Sequence, residues 1–402
     1  MLLQLLLIEV VLGELICSII HQIIIWRKNI MKIKAAVVEK KGGPFVIKDD
    51  VELSEMQADD LQIHMVASGI CHSDEALRKG DAEIGYPIVL GHEGSGIVEK
   101  VGPEVKNFKV GDHVVLSFYG CGNCENCLKG MPTRCLNYAA NNLSGVRPDG
   151  SAHFTEDGHR VSDMFDQSSF TTTTVVRERN AVKVPKNLDL RRLGPLGCGY
   201  VTGSGTVLNT LKPKPGETIA VFGTGAVGLA AMMAGKISGC TTVIAVDVVD
   251  SRLQLAKELG ATDTINSKNE DAVAKIKELT DGKGVDYAVD TTGVTKVMED
   301  SIQALAQGGT TATIAVTANH IDLDTWNDLC TNDRSIIGVN MGDSIPQVDI
   351  PRLIKFYQMG MFDFDKTEKF YPFEQINEAN ADSGSGKTIK PVLVIDDQYK
   401  PE

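Results

Sequence analysis

The chain has no surplus of positive charge: 40 Lys and Arg stand against 53 Asp and Glu, a formal net charge of −13. That balance gives no electrostatic reason for polyphosphate binding, so nucleic acid is excluded as a main partner. Proline is sparse, 14 in 402 residues, and with 43% hydrophobic and 23% charged residues the composition excludes a disordered or low-complexity chain. There is no internal repeat. A secreted disulfide framework is also missing, because the nine cysteines are odd in number and four of them crowd one short stretch. Such crowding suits metal binding in a reducing compartment, and the chain reads as cytoplasmic. Its length has room for two or three domains with a sizeable core.

The one long apolar run, Met1 to Trp26, is interrupted by Glu9, Glu14 and His21. Charge at that depth is costly in a bilayer. A signal peptide does not fit either, since the run lacks a basic start and a small-residue cleavage site after Trp26. Residues 1–30 therefore read as an extension upstream of a start at Met31, with a membrane-associated anchor as the alternative; a membrane partner is not expected for the rest. Met31 opens Lys-Ile-Lys-Ala-Ala-Val-Val, a plausible first strand.

From Ile33 to about Val184 short strand-like runs are punctuated by Gly, Pro and Asp, which predicts a mostly-β domain. After the stiff junction Lys212-Pro-Lys-Pro-Gly216 strands alternate with amphipathic stretches such as Ser251 to Leu259 and Glu270 to Leu279. The strand candidates are Thr218–Phe222, Thr242–Val246, Thr264–Ile265, Asp286–Val289, Thr311–Val316 and Ser335–Val339. Six strands suit a doubly wound α/β sheet. The segment from Met341 to Ile395 holds one helix and short β-like runs, and is expected to fold back onto the first domain.

Gly223-Thr-Gly225-Ala-Val227-Gly228 follows a strand candidate and opens a helix, and Asp247 stands 19 residues beyond Gly228 at the end of the next strand. In that context the triplet is a dinucleotide turn: Gly223 for the tight bend, Gly225 for approach of a diphosphate, Gly228 for close helix packing. Asp247 suits the ribose hydroxyls of NAD and disfavours the 2′-phosphate of NADP, although Arg252 lies near enough to keep NADP as a minority alternative.

Cys121, Cys124, Cys127 and Cys135, spaced three, three and eight residues apart, supply the four thiolates of a closed tetrahedral zinc site, whose role is to fix a loop. A sparser set is Cys71, His92 and Cys198. Two thiolates and an imidazole leave a fourth position open, but taken singly each is as readily a buried core residue.

Together these motifs resemble the zinc-dependent medium-chain alcohol dehydrogenases over Met31 to Ile395. The carriers are Gly91-His-Glu-Gly-Ser-Gly96 with Gly102 and Val105, the four-Cys lobe, and the Gly223 to Gly228 turn. Within that family Gly194-Pro-Leu-Gly-Cys-Gly199, Asp166-Gln-Ser-Ser-Phe170 and Ser251 to Lys257 are similar to bacterial aryl-alcohol (benzyl alcohol) dehydrogenases. The resemblance implies a GroES-like catalytic domain over 31–199, a Rossmann NAD-binding domain over 200–341 and a returning segment over 342–402. It also implies two zinc ions per subunit, NAD, a small alcohol or aldehyde substrate, and a homo-oligomer, dimer or tetramer.

By the same resemblance Cys71, His92 and Cys198 hold the catalytic zinc, and Ser73 takes the alcohol proton and passes it on through the nicotinamide ribose. Asp74 orients His92, and Glu93 stabilises or exchanges at the metal. His72 and Lys390 face the coenzyme diphosphate and Thr202 the nicotinamide. One departure stands out: many ethanol-type members carry His three residues after the relay serine, where this chain has Ala76, so the last proton step falls to His72 or to water. The implied reaction is reversible hydride transfer from a primary aryl alcohol to NAD. Aliphatic or other alcohols are the alternative, and a non-catalytic NAD-binding sensor is the reading from a different class. Outside the site, Cys240, Cys330, His64, His113 and His320 are expected in the interior, His153 and His159 in a solvated loop, and Trp326 as a packing residue. Phe118 and Tyr119 are candidates for either an aryl pocket or the core.

Overall fold

Apolar side chains alternate or run together in short strands throughout the first half of the chain, and the computed structural model, which describes residues 31–81 and 84–401, pairs them into two antiparallel sheets. The larger sheet is organised around Asp60–Gly69, a ten-residue strand buried on both faces and flanked by Glu93–Val101 and Thr173–Arg177. The strand Lys390–Val394 pairs antiparallel with it, setting Val392 opposite Gly69, and carries Glu368–Pro372 along. The C-terminal segment thus completes the first domain's sheet. The hydrophobic stretch Met1 to Trp26 lies outside the described residues, and among the described residues no helix is long and apolar enough to cross a membrane.

The second half forms a six-stranded parallel sheet in the order Asp263–Asn266, Thr242–Asp247, Thr218–Phe222, Val285–Asp290, Leu305–Thr313, Ser335–Gly338. In chain order this is 3-2-1-4-5-6, the doubly wound Rossmann arrangement, with a crevice where the winding reverses beside Thr218–Phe222. Central strands such as Ile219 to Phe222 and Val243 to Val246 are continuous buried apolar runs, as helices on both faces require. The fold class is the GroES-like β domain plus Rossmann domain inferred from sequence.

In the second half of the chain two element starts differ from the pattern reading by more than one residue. The fifth strand begins at Leu305 rather than Thr311 and takes in the Gly308-Gly309 pair, with a register shift against its neighbour between Val285 and Tyr287. The helix expected from Glu270 starts at Ala272, where the Asp271 side chain caps it by accepting from the Ala274 N–H at 3.0 Å.

Several side chains lie elsewhere than expected. Trp326 is 66% exposed, and Cys330 and His320 are exposed with it on the outer edge of the coenzyme domain. Cys240 and His64 are half-buried, His64 against Asp396 at 2.9 Å, and His113 is buried. His159 is exposed, but His153 is fully buried, its Nε2 3.4 Å from Asp166. The polar composition of 141–168 concealed an interior charge cluster in which Arg147 pairs with Asp60 at 2.6 Å and Arg177 lies 3.4 Å from Asp166. Burial beside Arg147 and Arg177 drives His153 down to about 3, so it stays neutral.

Asp163, in the same cluster, is pushed by burial up to about 6 against an ordinary value of 3.8. A carboxyl raised on folding favours the folded state fully below its unfolded pKa, and that contribution is lost as pH rises through about 6. Asp163→Asn is therefore expected to raise Tm at pH 8 and to leave it nearly unchanged at pH 4. Thermal melts of the two proteins across that range check it, and a constant offset would reject the ionisation as the cause.

Candidate active site and two metal-ligand clusters

Cys71 lies two residues past the strand Asp60–Gly69 and caps the helix His72–Lys79, whose first turn holds Ser73 and Asp74. Asp74 is wholly buried and joins two loops: one oxygen accepts the Cys71 N–H at 2.9 Å, the other accepts the Gly91 N–H at 2.9 Å and faces His92 Nδ1 at 3.1 Å. Gly91 turns the chain at φ 93°, where a Cβ would lie 2.6 Å from the Phe170 nitrogen. These contacts aim His92 Nε2 into the interior, and that atom is buried with no hydrogen-bond partner. Cys198 arrives from the far side, at the start of the helix Gly199–Gly205.

The ligand atoms of Cys71, His92, Glu93 and Cys198 all lie within 4.8 Å of one another. Glu93 is already committed, since its carboxylate accepts Lys390 Nζ at 2.7 and 2.9 Å and the Gly199 N–H at 3.0 Å. Burial raises the Glu93 carboxyl despite the opposing Lys390 charge. Contact with Cys198 holds the Cys71 thiol well below its ordinary range, and Cys71 in turn raises Cys198, so the pair carries one thiolate readily and gains a second beside a cation. An orphaned imidazole nitrogen facing two thiols fits a zinc ion with one position left open.

The second cluster is local. Cys121, Cys124, Cys127 and Cys135 bring their sulfurs within 4.8 Å of one another, with Cys121–Cys127 and Cys124–Cys135 separations of 4.0 Å. Four sulfurs at about 2.3 Å from a central ion stand about 3.8 Å apart, so the set has the dimensions of a tetrahedral zinc site. Backbone N–H groups of Cys127 and Leu136 draw the Cys124 thiol down to about 6.

At the crevice of the parallel sheet Gly223 adopts φ 87°, a Cβ on Gly228 would strike the Gly223 oxygen at 1.8 Å, and a Cβ on Gly225 would meet nothing within 4 Å. The turn is thus closed against the protein and open outward at the N-terminus of the helix Ala226–Ile237, where a diphosphate is favoured. Asp247 ends the neighbouring strand, 7% exposed, accepting from Thr224 N–H and Oγ1 at 2.7 Å and from the Val248 and Val249 N–H groups at 2.7 and 3.0 Å. Arg252 reaches the Gly386 carbonyl of the C-terminal segment at 3.4 Å. Of the other residues assigned to the coenzyme, His72 is exposed, Thr202 is half-buried beside Met341, and Lys390 is enclosed by Glu93 and the Ile70 carbonyl.

Two family models match the chain: an alcohol dehydrogenase GroES-like domain over residues 57–186 and a zinc-binding dehydrogenase over 226–358. Geraniol dehydrogenase of Castellaniella defragrans is 41% identical over 372 residues, 92% of this chain and 99% of that one. The chain belongs to the zinc-binding medium-chain alcohol dehydrogenases. Among solved structures, benzyl alcohol dehydrogenase from Acinetobacter calcoaceticus is 42% identical with a TM-score of 0.88, covering 91% of this chain and all of that one. An alcohol dehydrogenase zinc-binding domain protein from Burkholderia ambifaria is 44% identical with the same score, covering 92% and 100%.

Of the walls of this dehydrogenase's reactive site, Phe118 was among the sequence candidates, while Phe165, Tyr138 and Met341 were missed. Phe165 packs on His92 with ring centroids 4.9 Å apart, and Tyr138 stands 6.5 Å from Phe165 and 5.7 Å from Phe118. The Tyr138 hydroxyl meets the Asn340 side chain. Met341 places its sulfur 4.0 Å from the Cys198 sulfur and 3.7 Å from Thr202 Oγ1. Tyr119 faces away, under the Arg177 guanidinium at 5.4 Å. The Cys71-His92-Cys198 set of this dehydrogenase is therefore bordered by a run of aromatic rings. Thr224, the residue inside the Gly-rich turn that anchors Asp247, was also missed, although its place between the first two glycines was a usable signal.

Proposed function

We propose that the chain oxidises primary alcohols with a flat unsaturated group next to the carbinol, aryl (benzyl-type) alcohols first, to the aldehyde with NAD, reversibly. The observation that carries this is the aromatic run Phe118, Tyr138 and Phe165, whose last member, Phe165, packs directly onto His92 of the three-ligand set. The named activities of the relatives, on geraniol and on benzyl alcohol, support the same class. Zinc held by Cys71, His92 and Cys198 would supply a Lewis acid that lowers the pKa of an alcohol, and NAD held at the Gly223–Gly228 turn would supply the hydride acceptor.

The chain's own residues do the rest. Asp74 takes the Nδ1 proton of His92 in a hydrogen bond, which fixes the ring and presents the Nε2 lone pair forward. Ser73, with its hydroxyl 3.8 Å from the Cys71 sulfur, receives the alcohol proton on the first helical turn. Thr202, on the helix that starts after Cys198, would border the nicotinamide of a bound NAD, and the rings of Phe118, Tyr138 and Phe165 exclude water from one side. His72 and Lys390 complement the diphosphate charge, Lys390 by exchanging part of its pairing with Glu93. Val227, in the first turn of the helix after Gly225, contributes to the coenzyme cradle. The reduced thiols of both clusters support a cytoplasmic setting, and the outer edge of Ser335–Gly338 supports a homo-oligomer, dimer or tetramer.

Asp247 sets the coenzyme preference: a buried carboxylate repels a 2′-phosphate, and the adjacent Val248 offers none of the compensating charge. Asp247→Ala is expected to raise KM for NAD by about tenfold and to narrow the NAD over NADP ratio by a similar factor, as loss of charge-assisted hydrogen bonds implies. Initial rates with both coenzymes check it. The function itself is tested by kcat/KM for benzyl alcohol, geraniol, ethanol and a secondary alcohol. The highest value for benzyl alcohol, with geraniol next, supports the reading. Preference for ethanol or the secondary alcohol replaces the aryl assignment, and inactivity of zinc-replete protein across the panel reopens a non-catalytic role.

A further inference from the structure

The segment joining the edge strand to the C-terminal part turns through three successive left-handed residues, Met341 at φ 48°, Gly342 at 64° and Asp343 at 45°. Glycine accepts that conformation, but at Met341 and Asp343 each costs about 1–2 kcal/mol. Non-glycine residues persist there only where the surroundings over-determine them.

Those surroundings come from two places. From the four-cysteine lobe, Arg134 Nη2 donates to Asp343 Oδ2 at 3.0 Å, Arg134 Nε and Thr133 Oγ1 approach Oδ1 at 3.4 Å, and the Thr133 carbonyl accepts from Asn340 Nδ2 at 3.2 Å. From the stretch that continues the Cys198 helix, Thr210 Oγ1 donates to Asp343 Oδ2 at 2.8 Å and Asn209 Nδ2 donates to the Gly342 carbonyl at 3.1 Å. The turn has no room to shift inward. A Cβ on Gly342 would lie 2.4 Å from the Val201 oxygen, and one on Gly205 would lie 2.4 Å from the Gly342 oxygen. So held, the turn presses Met341 on Cys198 and Thr202 and sets Asn340 against Tyr138.

We propose that Asp343 is a positioning residue for alcohol binding: it fastens the four-cysteine lobe to the turn whose Met341 and Asn340 form one wall of the reactive site. Thr133 and Arg134 lie between Cys127 and Cys135, so a metal that fixes the four thiols also fixes the donors that hold Asp343. The lobe, which has no open position of its own, thereby sets the shape of the other cluster's substrate wall. This rests on the alcohol dehydrogenase reading of the site and goes beyond it in assigning the lobe a part in substrate fit.

The test uses full-length, zinc-replete Asp343→Asn, Arg134→Gln, the double variant and Arg134→Lys. Asp343→Asn is expected to raise KM for benzyl alcohol about tenfold with kcat within about twofold, since a displaced wall weakens binding that ground and transition states share. The double variant should be no worse than the worse single one, because both remove the same interaction, and Arg134→Lys should recover KM to within about threefold of the parent. Hydrogen–deuterium exchange provides a second readout, with faster exchange over residues 338–346 at unchanged zinc content. Unchanged KM and unchanged exchange in Asp343→Asn would overturn the proposal, as would a fall in kcat, Tm and zinc content together, which marks a purely structural role. If the parent oxidises no alcohol in the panel, the functional reading fails on its own, and the exchange result still decides whether Asp343 holds the turn.

Discussion

Replacing Cys198 by serine is expected to lower kcat/KM for the preferred alcohol by about a thousandfold or more, the loss of several kcal/mol of charge stabilisation at the developing alkoxide. Cys198 is buried at the start of its helix and has Cys71, His92 and Glu93 within 4.8 Å. Glu93 could take the vacant place only by giving up partners, because both of its oxygens are engaged by Lys390 and one also by the Gly199 N–H. Serine is too weakly acidic to replace a thiolate, and only Cys71 and His92 would be left as anchors. Elemental analysis should show zinc falling from two to one per chain, with the thermal melt nearly unchanged. Retention of both zinc ions with activity within about tenfold of the parent would show that Cys198 is not a ligand.

Replacing Cys124 by serine should act in the opposite way, on stability first. Apart from the thiols and the polar contacts of Thr133 and Arg134 with Asn340 and Asp343, the lobe from Cys121 to Cys135 has little to hold it: its helix Glu125–Leu128 is four residues long and buries none of them, and its remaining regular piece is the turn Pro132–Arg134. In a segment without an apolar core the metal supplies the folding free energy. A loss of about 4 kcal/mol is expected, which in a chain of this size lowers Tm by about 5 °C. Calorimetry checks this, and chelation of the parent protein should reproduce the shift. A change below about 2 °C would mean that the four thiols hold no metal. If Asp343 transmits the lobe's position as proposed, the surviving folded fraction should also show the raised alcohol KM.

What could be read in advance follows from how far apart in the chain the cooperating atoms lie. The Gly223–Gly228 turn with Asp247 and the four-cysteine lobe are each built within one short stretch, so residue type and spacing specify the chemistry. Cys71, His92 and Cys198 are separated by up to 127 residues and meet only because three strands and a helix converge; family resemblance joined them where spacing did not. Apart from Phe118, the walls of the site were not legible. Phe165, Tyr138 and Met341 come from three distant segments, Tyr138 at the start of the short helix Tyr138–Asn142, and a left-handed turn at Met341 and Asp343 carries no glycine at those positions to announce it. His153 was misread for a related reason, since its partners Arg147, Asp166 and Arg177 are all polar, and polar residues that bury one another look like a solvated loop. Trp326 shows the converse: an apolar side chain does not reveal whether its surface is covered.

The central claim is that alcohol oxidation takes place at the three-ligand cluster of Cys71, His92 and Cys198. It is tested by following NADH formation from benzyl alcohol while the zinc with an open position is stripped with a chelator and then restored. The account predicts that activity falls in proportion to the first zinc lost, with the thermal melt preserved, and returns when one equivalent of zinc is added back. Activity that survives loss of that zinc, or that disappears only with unfolding of the four-cysteine lobe, would contradict it.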